Sequence, residues 1–183
     1  MNKVLNYING LTLIGSRPGV GKSSLAFNIM SSIKDKDILF LSFEESKSSI
    51  ESKLLKISDS INNIHIDDSP NMNIDEVITT IRNNNYDIVV IDYIQLVRNL
   101  DNKNILKELK DLANELGITI IVLSQLSREV EGRIPLVSDL SFDMSYVDNT
   151  LLLYKDLDKV NISINDTNTI SLNHDNDTLK MYE

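Results

Sequence analysis

The stretch of sequence that decides the fold is LTLIGSRPGVGKSS, residues 11–24. Its first four residues, Leu-Thr-Leu-Ile, predict a short strand, and residues 21–33 repeat apolar side chains at helical spacing. The loop between them contains Gly19 and ends in Gly21-Lys22-Ser23. Backbone N–H groups in such a loop, at the start of a helix, can surround a phosphate group. The stretch therefore predicts a P-loop that binds a nucleoside triphosphate.

The side chains of this loop predict individual contacts. Lys22 is expected to reach the β- and γ-phosphates, and the Ser23 hydroxyl is expected to ligate Mg²⁺. The pattern departs from G-x-x-x-x-G-K-[ST], because Ser16 occupies the first glycine position and Gly15 lies one residue earlier. A glycine-rich turn that merely precedes a helix is the alternative. The predicted nucleotide contacts are Ser16, Arg17, Pro18, Gly19, Val20, Gly21, Lys22, Ser23 and Ser24.

Outward from this stretch, apolar runs alternate with helical patterns. Strands are predicted at residues 37–43, 63–66, 86–93 and 118–123, and helices at 46–57, 73–82 and 105–116. Four further short strands are predicted at 151–154, 160–164, 169–172 and 178–182, with no helix between them. The order predicts one α/β domain over residues 1–183, with a mostly parallel central sheet, helices on both faces and an antiparallel C-terminal edge.

Polar residues follow three of the predicted strands, where ligands bind in open α/β sheets. Asp92 could hold the hydration shell of Mg²⁺, or it could merely end a strand. Of Glu44 and Glu45, one could orient and deprotonate the attacking water, although for Glu45 a role in capping the next helix is favoured. Gln125 could sense the γ-phosphate or could be an ordinary loop residue.

The composition excludes several classes of protein. The chain has no cysteine, so disulfides and thiolate metal sites are excluded, and no apolar run approaches the roughly 18 residues of a membrane helix. We expect a cytoplasmic protein without a membrane segment. His65 and His174 have no partner at metal-ligand spacing and are interpreted as structural or exposed. The net charge of −9 argues against strong nucleic-acid binding by a lone subunit.

Four segments in order carry a family resemblance. They are GSRPGVGKSSLAFNI from residue 15, LFLSFEES from 39, DIVVIDYIQLV from 87, and LSQLSREVEGR from 123 followed by PLVSDL from 135. Together they resemble the ATPase domain of DnaB-type replicative helicases, whose core is RecA-like, over residues 11–153. The string Asp92-Tyr93-Ile94-Gln95-Leu96 favours this family over a KaiC-like or recombinase-like ATPase.

The resemblance implies specific roles. It makes ATP the nucleotide, Glu44 the catalytic glutamate, Asp92 an Mg²⁺ residue and Gln125 the γ-phosphate sensor, and Lys22 joins them as a catalytic residue. It also makes the loop after Gln125 a candidate contact for single-stranded DNA, through Arg128 and Arg133. Family members are rings that bind ATP between subunits and move along single-stranded DNA.

The departures from the family lead to a second hypothesis. We expect the protein to lack the family's amino-terminal domain and linker helix, and Asn165-Asp166-Thr167 is the nearest match to the family's late Lys-x-Arg pair. Lys155, Lys159 or Lys180 could substitute as point charges. We therefore predict a weak Mg²⁺-dependent ATPase in DNA replication, monomeric or weakly oligomeric with a hexamer possible, that binds single-stranded DNA weakly. The alternative is a nucleotide-binding accessory or regulatory protein that docks onto a replicative helicase or another replication protein.

Overall fold

The computed structural model describes residues 1–99, 103–130, 132–156, 159–175 and 179–182, with the Arg128 side chain left out. Its centre is one nine-stranded sheet with strand order β3-β2-β4-β5-β1-β6-β7-β8-β9. The strands are β1 (Leu11–Ser16), β2 (Ile38–Ser42), β3 (Ile64–Asp67), β4 (Ile88–Asp92), β5 (Thr119–Gln125), β6 (Asn149–Asp156), β7 (Lys159–Ile164), β8 (Asn168–His174) and β9 (Met181–Tyr182).

Within the described part of the chain, five α-helices accompany the sheet. They are α1 (Asn2–Leu5), α2 (Lys22–Ser32), α3 (Lys47–Ile57), α4 (Ile74–Arg82) and α5 (Ile105–Leu116). The sequence predicted the four longer helices, because each repeats apolar residues along one face. It missed α1 and four short 3₁₀ turns, since elements of three or four residues are too short to show a periodic pattern. The helix α5 ends where the sequence predicts, at Gly117, whose φ of 66° is left-handed.

The strand β1 lies in the middle of the sheet. It pairs in parallel with β5 on one side, where Leu11 is opposite Ile120, and with β6 on the other, where Ser16 is opposite Leu153. The sequence predicted β6 as part of an antiparallel edge, but only its other side is antiparallel, against β7. The strands β8 and β9 continue the antiparallel arrangement. The predicted α/β fold with a mostly parallel sheet and an antiparallel C-terminal edge is otherwise confirmed.

Apolar side chains cover both faces of this sheet, as strands buried on both sides require. On one face α2 and α3 pack over Ile14, Phe40 and Val90. On the other face α4 and α5 pack over Leu11, Val89 and Val122. Successive residues of a strand point to opposite faces, so each central strand supplies both layers.

The edge strand β9 is fastened to the helix α2 by one buried side chain. The amide of Asn28 donates to the Leu179 carbonyl at 2.8 Å and to the Ser24 carbonyl at 2.8 Å. Its oxygen accepts from the Met181 backbone N–H at 2.9 Å. The Met181 methyl group lies 3.0 Å from where a Cβ on Gly21 would stand. The segment around Met181 thus supports the loop that leads into α2.

Within the described residues, no helix has the length and apolar character needed to cross a membrane.

Candidate nucleotide-binding site

The loop between β1 and α2 forms the floor of a cavity of about 330 Å³. Gly19 and Gly21 have φ angles of 74° and 116°, which side-chain-bearing residues rarely adopt, so glycine is needed at both positions. The first turn of the eleven-residue helix α2 faces this cavity, where its unpaired N–H groups favour an anion. The cavity is lined by Ser16, Arg17, Pro18, Gly19, Gly21, Lys22, Ser23, Ser24, Glu44, Glu45, Tyr93, Gln125, Lys155 and His174.

All the predicted contacts between Ser16 and Ser24 line this cavity except Val20. Val20 is 5% exposed and packs in the core beneath the loop. Its side chain therefore anchors the loop, and only its backbone is available to a phosphate.

Lys22, Ser23 and Asp92 form a compact polar group at the ends of β1 and β4. Lys22 Nζ donates to Asp92 Oδ1 at 2.8 Å, and Ser23 Oγ donates to Asp92 Oδ2 at 2.9 Å. Both charged side chains are about nine-tenths buried, at 11% and 9% exposed. Lys22 Nζ also lies 5.3 Å from the centre of the Tyr93 ring, within the range of a cation–π contact.

The oxygen atoms of Ser23 and Asp92 would suit Mg²⁺ that is held only in part by the protein. One hydroxyl and one carboxylate are hard oxygen donors, which Mg²⁺ prefers. The described residues contain no cluster of three or more His, Cys, Asp or Glu side chains able to hold a metal. A metal held here would thus take its remaining ligands from water and from a bound phosphate, as Mg²⁺ commonly does.

The two glutamates after β2 differ in their surroundings. Glu45 forms an ion pair with Lys53, at 2.6 Å to Oε1, and Ser49 Oγ donates to Oε2 at 2.8 Å. Partial burial raises the pKa of Glu45, but the hydrogen bonds from Lys53 and Ser49 outweigh it and hold the pKa below its usual value. Glu44 is exposed at the cavity, and its carboxylate makes no hydrogen bond with any described residue.

Gln125 lies at the end of β5, next to the loop. Its backbone N–H and carbonyl are held by the side chain of Gln95, which follows β4, at 3.3 Å and 3.0 Å. Gln95 also donates to Ser124 Oγ at 3.0 Å. Because Gln95 fixes the backbone, the exposed side chain of Gln125 is directed into the cavity.

The sequence analysis did not assign three of the residues that line the cavity, namely Tyr93, Lys155 and His174. Lys155 and His174 come from β6 and β8, far along the chain. His174, interpreted as structural or exposed, is partly buried at the site, and its Nε2 atom is buried. Burial and the charge of Lys155 lower the pKa of His174, while Asp175 opposes them. No local spacing could reveal these two residues, because long-range strand pairing brings them to the site.

Of the two residues predicted to contact DNA, the one whose side chain the structure describes, Arg133, does not line this cavity. Arg133 makes two hydrogen bonds with Asp139, at 2.8 Å and 2.5 Å. Asp166, in the nearest match to the family's basic pair, lies in the turn between β7 and β8 and not on a strand, and it accepts from the Val137 N–H at 3.1 Å. The side chain of Arg128 and all of Glu131 lie outside the described residues.

Comparison with known proteins gives a consistent result. Residues 58–145 match the family model described as the DnaB-like helicase C terminal domain. The chain is similar to a probable replicative DNA helicase of Trieres chinensis, with 32% identity over 80% of this chain and 43% of that protein. It is also similar to the replicative DNA helicase DnaC of Bacillus subtilis strain 168, with 28% identity over 81% of this chain and 43% of that protein.

A solved structure extends the similarity to the fold. This structure, itself described as an ATPase domain, superposes with a TM-score of 0.81 and 26% identity, over 96% of this chain and 84% of that one. The RecA-like fold implied by the sequence is thereby confirmed. The chain spans 43% of the length of each of the two helicases.

Proposed function

Because the chain belongs to the family of DnaB-like helicase ATPase domains, we propose that it binds and hydrolyses ATP with Mg²⁺. We propose further that residues 1–183 form one such domain and that the reaction serves DNA replication on single-stranded DNA. The observation that carries the proposal is the group Lys22, Ser23 and Asp92, buried together at the mouth of the glycine loop.

Each residue of the site has a proposed role. Lys22 would exchange its contact with Asp92 for the β- and γ-phosphates, which are stronger anionic partners. Ser23 and Asp92 would hold Mg²⁺, which would neutralise the charge that develops on the phosphates. Gln125, with its backbone fixed by Gln95, would contact the γ-phosphate.

Glu44 is the better candidate for the group that accepts a proton from the attacking water. A general base must be free to approach the water and must not be committed to another partner. Glu45 is committed to Lys53 and Ser49, whereas the Glu44 carboxylate faces the cavity. This difference supports the assignment made from the family resemblance.

The proposal is tested by calorimetric titration of the protein and of Lys22→Ala with Mg²⁺ and ATP. Loss of the charged contact should weaken the free energy of binding by about 2–4 kcal/mol, since hydrogen bonds between charged groups contribute free energies of this size. Lys34→Ala is a matched control, because Lys34 contacts Ser58 and Ser60 instead of the cavity. Unchanged affinity in a folded Lys22→Ala protein would refute the nucleotide site.

In a second candidate function, the protein binds the nucleotide but does not move along DNA. The chain could be a nucleotide-binding accessory or regulatory protein of a replicative helicase or another replication protein. Two observations favour this alternative: Asp139 engages Arg133, and Asn165-Asp166-Thr167, the nearest match to the family's basic pair, contains no basic residue. An assay of ATP hydrolysis with and without single-stranded DNA separates the two functions, since only the motor predicts strong stimulation by DNA.

A further inference from the structure

Lys155 and His174 enter the cavity from the side of β1 that faces away from Asp92 and Gln125. In the sheet, β5 and β4 lie on one side of β1, and β6, β7 and β8 lie on the other. The strand β6 is parallel to β1, and β8 has the same direction because β7 is antiparallel to both neighbours. The last residues of β6 and β8 therefore reach the edge of the sheet that carries the glycine loop.

The strand register places both side chains on the face covered by α2. Lys155 is opposite Val160, and Val160 is opposite Leu172, so the three share one face. Val160 and Leu172 are buried in the core beneath α2, and His174 follows Leu172 by two residues on the same face. Lys155 and His174 therefore border the cavity on this face.

His174 has an unused hydrogen-bonding atom at this point. Its Nε2 is buried and makes no hydrogen bond with any described residue. Buried polar atoms in proteins nearly always have a partner, so an orphaned one calls for an explanation. Lys155 is exposed at the cavity, and its ammonium group makes no ion pair with any described residue.

The direction of a bound nucleotide follows from the proposed function, on which this step rests. Ser23 and Asp92 would hold Mg²⁺ beside the phosphates, and Glu44 and Gln125 would flank the γ-phosphate. The β-phosphate would occupy the glycine loop at the start of α2. The α-phosphate and the ribose must then extend to the opposite side, where Lys155 and His174 lie.

We infer that Lys155 binds the α-phosphate and that the His174 ring, whose Nε2 is buried in this structure, rotates on binding so that Nε2 hydrogen-bonds a ribose hydroxyl of the nucleotide. The site is thereby built for a nucleoside polyphosphate rather than for a free polyphosphate. Lys155 therefore acts on the nucleotide bound by its own chain. It does not act as the substitute for an arginine that reaches the site of a neighbouring subunit.

The first test uses the unmodified protein and its two histidines. In a proton–carbon NMR titration, Mg²⁺ with ADP should shift the ring signal of His174. The signal of His65 should stay in place, because its side chain is 51% exposed on β3 at the far edge of the sheet. Inorganic tripolyphosphate, which lacks the ribose, should shift His174 much less. An unmoved His174 signal at saturating ADP would overturn the inference, as would equal shifts with both compounds.

The second test compares variants by calorimetry with the same two probes. His174→Asn should weaken ADP binding roughly tenfold, as expected for one hydrogen bond to a ligand, and leave tripolyphosphate binding unchanged. Lys155→Gln should weaken the binding of both compounds. The control is Lys159→Gln, because Lys159 lies on β7 opposite Asp156 and Asn173, in the row of the sheet that points to the other face.

The Lys22→Ala protein separates this inference from the proposed function. If Lys22→Ala weakens ADP binding while Lys155→Gln and His174→Asn bind normally, the nucleotide site stands and the assignment of Lys155 and His174 fails. If Lys22→Ala also binds ADP normally, the proposed function itself fails.

Discussion

At the scale of single residues, the adjacent glutamates after β2 are distinguished by their partners. Glu44→Gln should keep ATP affinity and lower the rate of hydrolysis by roughly 10²-fold or more, the contribution of a general base. Glu45→Gln should change the rate little, since Glu45 is occupied by Lys53 and Ser49. Steady-state phosphate release checks both variants, and each serves as the other's control. A larger loss in Glu45→Gln would mean that the assignment of this strand end is off by one residue.

A second residue-scale prediction concerns Arg133, which is held by Asp139. The hydrogen bond and the charge of Asp139 raise the pKa of Arg133, and the same hydrogen bond lowers the pKa of Asp139, so the pair is ionised at neutral pH. Asp139→Asn should release the guanidinium and strengthen binding of single-stranded DNA. Arg133→Ala should weaken the binding of single-stranded DNA. It should also reduce, by about one unit, the slope of the logarithm of the binding constant against the logarithm of the salt concentration.

Fluorescence anisotropy with a labelled oligonucleotide at several salt concentrations measures these changes. We expect weak binding that neutralises only about two to four phosphates. Arg82→Ala is the matched control, since Arg82 is also an exposed arginine in a carboxylate pair, with Glu115 between α4 and α5. If Arg133→Ala and Arg82→Ala behave alike, the DNA contact lies elsewhere or on a partner.

At the scale of elements, the attachment of β9 to α2 depends on Asn28. Asn28→Ala would leave the buried Met181 N–H without its acceptor, which should lower the free energy of unfolding by about 1–3 kcal/mol. Urea unfolding measures the loss, and hydrogen exchange should quicken at Met181. Asn84→Ala is the control, because the exposed Asn84 makes one similar bond, to the Thr80 carbonyl. Equal stability of the two variants would show that β9 is held by its apolar contacts instead.

The sequence predicts helices and strands that have a local signal, but it does not predict which distant strands pair. Apolar periodicity predicts α4 and α5, and the continuous β-branched run predicts β4, because these signals are local. The glycine loop and the residues that follow β2, β4 and β5 are predictable for the same reason, since ligands bind at the ends of parallel strands. The parallel pairing of β6 with β1 is not predictable in this way, because it joins segments far apart in the chain. The position of His174 beside the cavity is not predictable for the same reason, since it depends on the pairing of β6, β7 and β8.

At the scale of the whole molecule, charge limits how copies of the chain can associate. The net charge is −9, and residues 134–183 contain no arginine. In enzymes that complete the site with an arginine from a neighbour, this group can contribute roughly 10³–10⁵ in rate. Lysine lacks the planar fork that matches phosphate oxygens, so Lys159 or Lys180 would replace it poorly.

We therefore expect the 183-residue protein to be a monomer or weak oligomer that hydrolyses ATP slowly, with little stimulation by single-stranded DNA. Light scattering with and without ATP gives the oligomeric state, and turnover is measured on the same samples. A stable hexamer with strong stimulation by DNA would exclude the accessory-protein alternative. The search for the contributed cation would then begin with Arg128 and Arg133.

The central position of β1 also determines when this strand can pair during synthesis. Leu11 is opposite Ile120, so roughly a hundred residues separate β1 from its first partner, and Thr12 is opposite Asn149 on the other side. At about 5–20 residues per second, a ribosome would need roughly 5–20 seconds to deliver that first partner. During this interval the strand Leu11–Ser16, which is buried along its whole length in the folded protein, has both hydrogen-bonding edges unpaired, and such edges promote aggregation. Slow non-local pairing of this kind makes the nascent chain a candidate for chaperone binding until β5 emerges.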